Sequence, residues 1–321
     1  MSSPAEVAAA AQLACLLEVS APKPGNVSPE RHFHDTRFED FLASAVAIGP
    51  ALAEAGAQPL GTTIRQAIEA TLRWTTSNTN LGIVLLLAPL ARAALLQGGS
   101  LRDRLRSVLG ETTVEDAVEV YEAIRRARPG GLGESSAEDV AKAPTVSLRD
   151  AMALAAGRDA IAREYVTGFA LTFETGVPAV VAARQEGLPW GDTVVEAYLA
   201  LLDTTPDTHI ARKLGAAEAA AVSRRARAVR AAGGTRSAEG RQALDLLDAE
   251  LRDDRNRRNP GTTADLTCAA LFVVILEGGW DRQENRRAEH LPGPGQQRLP
   301  GLRFGPFHHL PGPPVRVASR T

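Results

Sequence analysis

An all-α fold is the class this 321-residue sequence predicts, and three observations carry the prediction. Apolar residues recur at three- and four-residue spacing along most of the chain. No run alternates with the period of two that a half-buried strand requires, and the strand-favouring aromatics are only 4% of the residues. With 44% hydrophobic residues the chain can fill a sizeable core, so one large multi-helix, bundle-like domain is expected over residues 1–280.

The first helix is signalled by a capping box at Ser3-Pro4-Ala5-Glu6 and runs to about Glu18, where Pro22, Pro24 and Gly25 stop it. The loop that follows, APKPGNVSPERHFHD, carries Lys23, Asn26, His32, His34 and Asp35 and is a candidate site wall. Thr36 and Glu39 read as a second capping box for a helix ending near Gly56, and a third helix covers roughly residues 62–74. Thr and Asn side chains at residues 75–82 compete for the backbone and break the pattern. Asn80 or Thr79 then caps a core helix, LGIVLLLAPLARAALL, whose Pro89 is expected to kink it. Further helices are expected at 113–127, 147–157, 159–173, 177–186, 191–202, 209–232, 237–256 and 263–277, with PGGLGESS at 129–136 a mobile loop. Residues 281–321 hold a stretch with seven of the chain's 20 prolines and no apolar periodicity, which predicts an irregular or disordered tail; His308 and His309 there read as solvated.

A net charge of −2 and a pI near 6.3 supply no basic field for nonspecific nucleic-acid binding. Cys15 and Cys268 sit in apolar helical runs as buried thiols do in a reducing compartment, and no export signal or membrane span is read, so a cytoplasmic address is expected. A homodimer is one oligomeric state left open.

DTTPDTHIARKLG, residues 203–215, packs two aspartates, a histidine and an arginine between alanine-rich segments. Asp203 and Asp207 are four apart. Two carboxylates about 4 Å apart repel by roughly 4 kcal/mol at an effective dielectric of 20, so a desolvated pair needs a proton or a cation such as Mg²⁺. The bland alternative is a loop residue followed by a helix N-cap. Arg212 can fork onto a phosphate and His209 can exchange a proton with a hydroxyl or a leaving base. In RNRRNPGTTADL, residues 255–266, Gly261, Thr262, Thr263 and the amides after them suggest an anion cradle, with Asp265 either reaching a metal or favouring the helix dipole.

APKPGNV at 21–27, FEDFLASA at 38–45, SNTNLGIVLLLAPLA at 77–91, DTTPDTHIARKLG at 203–215 and NPGTTADL at 259–266 together resemble the triphosphoribosyl-dephospho-CoA synthase family, over about residues 5–280. The resemblance implies an all-α enzyme that joins the ribose of ATP to a hydroxyl of 3′-dephospho-CoA and releases adenine. It further implies Mg²⁺ held by Asp203, Asp207, Asp35 and Asp265, with Asp203, Asp207 and His209 catalytic. Lys23, Gly25, Asn26, Asn78, Asn80, Arg212, Asn259, Gly261, Thr262 and Thr263 would surround substrate and phosphates. The chain departs from the family where an asparagine-threonine-histidine-lysine-glycine segment is here Asn78-Thr79-Asn80-Leu81-Gly82. It departs again where a serine-proline-glycine-glycine-serine turn is here Asn259-Pro260-Gly261-Thr262-Thr263. Three alternatives accompany the leading reading: a related transfer to an acceptor in one-carbon-carrier biosynthesis, an N-glycosidic hydrolase, and a non-catalytic helical binding protein.

Overall fold

The computed structural model describes residues 2–130, 138–253 and 255–280. The helices are α1 (Pro4–Ser20), α2 (Phe38–Ala47), α3 (Gly49–Ala53), α4 (Leu60–Thr71), α5 (Leu81–Leu95), α6 (Leu101–Gly110), α7 (Val114–Ala127) and α8 (Leu148–Ala155). After them come α9 (Ala160–Thr167), α10 (Val177–Gln185), α11 (Trp190–Thr204), α12 (Thr208–Leu214), α13 (Ala216–Ala231), α14 (Ala238–Leu251) and α15 (Gly261–Leu276). No strand occurs among the described residues, so the fold is all-α as expected. Residues 131–136 of the loop expected at 129–136 and the Pro/Gly-rich tail, with His308 and His309, lie outside the described residues.

Helix α15 is the axis of the core. It is apolar on every side from Leu266 to Val274, which demands burial all round, and α1, α5, α10 and α11 enclose it. Helix α5 is built the same way, with Pro89 buried inside it. Cys15 on α1 and Cys268 on α15 are both buried free thiols, their sulfurs 3.6 Å apart.

Several expected boundaries differ for local reasons. The helix expected after Thr36 begins at Phe38, where the Asp40 carboxylate accepts the Arg37 amide at 2.8 Å, and it breaks at Ile48 ahead of Pro50. Helix α6 was not foreseen, although Ser100 and Asp103 form a capping box before it. The helix expected over 159–173 ends at Gly168, in the left-handed region with φ 65°. There the buried Glu164 carboxylate accepts the amides of Leu171 (3.0 Å) and Thr172 (2.9 Å) and fixes a π-helical turn, Thr172–Gly176. The single helix expected over 209–232 is two, because Gly215 adopts φ 92° and ψ 160°, far from helical values.

The packing that matters for function is at one end of α15. The N-termini of α5, α9, α12 and α15 converge there: the Ala160 amide donates to Thr208 Oγ1 (3.3 Å), Thr208 Oγ1 donates to Thr262 Oγ1 (3.1 Å), and Gly82 lies against Asp265. A Cβ at Gly82 would stand 2.0 Å from Asp265 Oδ2, so only glycine leaves room for that carboxylate.

Candidate active site

Asp207 is the N-cap of α12 and is 1% exposed. Its Oδ1 accepts the amides of His209 (2.8 Å) and Ile210 (3.0 Å), and its Oδ2 accepts the amide and hydroxyl of Thr263 (2.7 and 2.8 Å). Four donors fill the carboxylate's acceptor positions, and burial, opposed by those same bonds, sets its pKa above the ordinary carboxylate value. The anion cradle expected at residues 261–263 is therefore occupied from within. Thr263 holds Asp207 and not a phosphate, and Thr262 is bonded to Thr208.

Asp203 does not join Asp207 around a cation. It faces α13, where Arg227 Nε (2.7 Å) and Arg230 Nη1 (2.6 Å) grip its two oxygens. Partial burial works against its ionisation, but the two guanidinium groups prevail and hold its carboxyl below the usual range. Lys23 is likewise turned inward at 1% exposure. Its ammonium pairs with Glu18 Oε1 at 3.0 Å and donates to the carbonyls of Glu18 and Ala21, so it is a loop tie and not a phosphate ligand. Gly25 takes φ 73° beneath Leu251, a structural turn. Asn26 donates to Pro24 O (3.2 Å) and to the Tyr198 hydroxyl (3.1 Å), yet still lines a cavity.

Two cavities meet at the convergence of helix ends. The larger, about 400 Å³, is polar and is bordered by Asn26, Asp35, Asn78, Asn80, His209, Asn259, Gly261 and Asp265. The smaller, about 240 Å³, has apolar walls from α5, α7, α8 and α9, with Arg212 and Thr262 among its few polar groups. Asn78, Leu81, Gly82, His209 and Asp265 belong to both. Sequence reading missed three cations on the polar cavity: Arg128, Lys213 and Arg255. None forms an ion pair among the described residues. Arg128 closes α7 with φ 48°, a left-handed conformation that few non-glycine residues adopt.

Asp265 is the group at the junction. No hydrogen bond or ion pair reaches its carboxylate among the described residues, and part of its surface opens to the cavities. The surrounding protein strips most of its water, and Glu18, Asp207 and Asp159 add repulsion, so its pKa lies well above the ordinary value despite Arg212. His209 is pushed the other way. Burial, with Lys213 and Arg212 nearby, lowers its pKa from 6.5 to about 3, so the imidazole is neutral near pH 7 and too weak a base to act alone. Arg212 is bound to Asp159 Oδ2 at 2.5 Å, and Asp159 also caps α9. Asn259 Oδ1 is buried without a donor at the wall of the polar cavity.

Among the described residues no three His, Cys, Asp or Glu side chains stand close enough together to share a metal ion. Mg²⁺ held by one or two carboxylates plus phosphates and water needs less. Asp265 and the exposed Asp35, whose carboxylate meets Thr36 (3.2 Å) and His34 (3.7 Å), are the expected metal ligands that remain on the cavity. No single helix among the described residues is long and apolar enough to cross a membrane.

Residues 4–284 match the sequence profile of the family described as CitG: ATP:dephospho-CoA triphosphoribosyl transferase. Over 158 residues the chain is 32% identical to a Pseudomonas paraeruginosa protein named "Probable 2-(5''-triphosphoribosyl)-3'-dephosphocoenzyme-A synthase", covering 44% of this chain and 53% of that one. A Stutzerimonas stutzeri protein of the same name is 34% identical over 109 residues, 34% of this chain and 37% of its own. The chain thus spans about half the length, or less, of the curated relatives it matches. A crystal structure from Archaeoglobus fulgidus, provisionally named a triphosphoribosyl-dephospho-coA synthase, superposes with a TM-score of 0.57 at 28% identity, covering 74% of this chain and 99% of the other.

Replacing Asp207 by Ala leaves buried amides without an acceptor and is expected to lower unfolding stability by about 3 kcal/mol. Asp203→Asn should cost under about 1 kcal/mol, since the pair is near the surface; equal losses in urea melts would contradict the clamp. For His209, imidazole NMR shifts should stay those of the neutral ring down to about pH 4, given a pKa near 3. The unfolded chain binds this proton near pH 6.5 and the folded chain only near 3, so the group removes stability as pH falls through that window. A midpoint near 6.5 in the folded protein would show the ring to be solvated.

Proposed function

The chain belongs to the CitG family of ATP:dephospho-CoA triphosphoribosyl transferases, and from that premise we propose that it moves the triphosphoribosyl group of ATP onto a hydroxyl of 3′-dephospho-CoA or a related acceptor, releasing adenine. The observation that carries this reading is the meeting of a polar and an apolar cavity at one desolvated, unpartnered carboxylate, Asp265. Arg128, Lys213 and Arg255 supply positive charge for a phosphate chain in the polar cavity. The unsatisfied Asn259 Oδ1 on the same wall accepts from a ribose hydroxyl. Helix N-termini from α5, α9 and α15 add partial positive charge at the same place.

In the transfer, the bond from the ribose anomeric carbon to the base nitrogen breaks with its electron pair going to the base, which needs a proton. The acceptor oxygen bonds to that carbon and gives up a proton. A carboxyl with a raised pKa serves both needs: Asp265 hands its proton to the departing adenine and, as carboxylate, faces the positive charge on the sugar and takes the proton of the hydroxyl. Atoms and charge balance, with no net proton released. Mg²⁺, when bound, would neutralise phosphate charge, and the exposed Asp35 suits an ion held mainly by phosphates and water. Held at Asp35, such an ion would leave Asp265 free to face the anomeric carbon.

Adenine release from ATP is expected only when dephospho-CoA is present. Asp265→Asn should lower kcat by about 10²–10⁴-fold with the fold intact, and Lys213→Ala should raise the KM for ATP about tenfold, roughly 1.4 kcal/mol. Release that ignores the acceptor would make the protein a hydrolase, and activity that survives chelation would remove Mg²⁺. An Asp265→Asn enzyme with full kcat would overturn the role given to that residue.

A further inference from the structure

We propose that the apolar chamber beside Asp265 is a binding site for a neutral purine base, an assignment that rests on the transferase reading and names where the leaving group sits. Leu85, Tyr121, Ile124 and Met152 wall the chamber, which is about 240 Å³. A dry apolar cavity of ~150 Å³ accommodates a benzene ring, so a fused bicyclic base has room here. The polar groups on the wall select an uncharged heteroaromatic ligand over an anion. Arg158 and Arg212 both have partners, Arg212 Nη1 with Asp159 at 2.5 Å, and the carboxyl groups of Glu138, Asp159 and Asp265 border the same chamber, which disfavours a phosphate.

Besides Arg212 Nε, which is buried without an acceptor, two donors border the chamber and meet no acceptor among the described residues. The chain of hydrogen bonds from the Ala160 amide through Thr208 Oγ1 ends at Thr262 Oγ1, in steps of 3.3 and 3.1 Å. Thr262 is 3% exposed, and its own hydroxyl proton meets no acceptor among the described residues. Such a buried donor costs free energy until a ring nitrogen accepts from it. The second donor is His209. A guanidinium only donates, so the contact from Arg212 Nη2 to His209 Nδ1 at 3.4 Å places the neutral ring's proton on Nε2. An imidazole N–H and a hydroxyl are complementary to the in-plane lone pairs of a purine, while the aliphatic walls and Tyr121 cover its faces. The chamber shares Asp265 and Gly82 with the polar cavity, so a base placed in it directs its glycosidic nitrogen toward the carboxyl that protonates it.

The test is calorimetric titration of the full chain with free adenine and, separately, with inorganic tripolyphosphate. Met152→Trp fills the chamber from a half-buried position, and Thr262→Val removes the hydroxyl donor; thermal melts identify any variant that fails to fold. Both variants are expected to weaken adenine at least about tenfold (~1.4 kcal/mol) while tripolyphosphate binds Met152→Trp as it binds the unaltered chain. The proposal is overturned if folded variants bind adenine unchanged, if the unaltered chain binds tripolyphosphate but not adenine, or if Met152→Trp raises the KM for dephospho-CoA and leaves adenine inhibition alone. That last result would give the chamber to the acceptor arm. These failures leave adenine release from ATP and dephospho-CoA intact, whereas failure of the transferase reading abolishes that release in the unaltered chain.

Discussion

Everything at the functional end of this molecule hangs from one buried carboxylate. Asp207 accepts two amides from its own helix start and two donors from Thr263, 56 residues further along, and so fastens α12 to α15. His209 lies two residues and Lys213 six residues beyond it on α12, and Asp265 lies two residues beyond Thr263 on α15. Fixing that single contact therefore fixes the spacing between the neutral imidazole, the cavity's ammonium and the unpartnered carboxyl. An ionised group so deep would destabilise the fold by several kcal/mol if left without donors. With four donors it becomes a clamp.

The crowding of acids here has a physical explanation. Asp159, Asp207 and Asp265 lie near one another, and the first two each cap a helix, where the aligned peptide dipoles leave partial positive charge. Arg212 neutralises Asp159 further. Asp265 has no such partner among the described residues, and burial, reinforced by the neighbouring carboxylates and opposed by Arg212, raises its pKa. A carboxyl in that condition is reactive toward whatever enters the cavity, because either a proton or an incoming positive charge relieves it. Gly82 preserves the arrangement by having no side chain where the carboxylate sits.

The helical architecture was legible because apolar periodicity and capping residues are local signals. α1 begins at the capping box read from Ser3 and Glu6, and α15 is the apolar run read after residue 263. What was not legible depended on backbone conformation or distant partners. Nothing in the alanine-rich run around Gly215 announces that this glycine leaves helical space, and α6 was passed over despite its cap. For the site, an aspartate reads the same in sequence whether it caps a helix, pairs with arginines or meets a substrate. Only Thr263 on another helix decides it for Asp207, and only Arg227 and Arg230 decide it for Asp203. Lys23 was read as a phosphate ligand because its buried partner Glu18 stands in a helix that looked purely structural. The turn at residues 259–265 borders the polar cavity through Asn259, Gly261 and Asp265, whereas Thr262 and Thr263 bond to Thr208 and Asp207. Arg128, Lys213 and Arg255 escaped notice because cations at helix ends and in basic loops ordinarily complement dipoles or meet solvent.

A crystal structure of the chain with ATP and Mg²⁺ bound measures the central claim most directly. The account predicts a phosphate chain beside Lys213 and Arg128, adenine among the side chains of α7 and α8, and the anomeric carbon next to Asp265. A nucleotide bound with its ribose remote from Asp265, or an Asp265 carboxyl turned away into a bond with the protein, would contradict it.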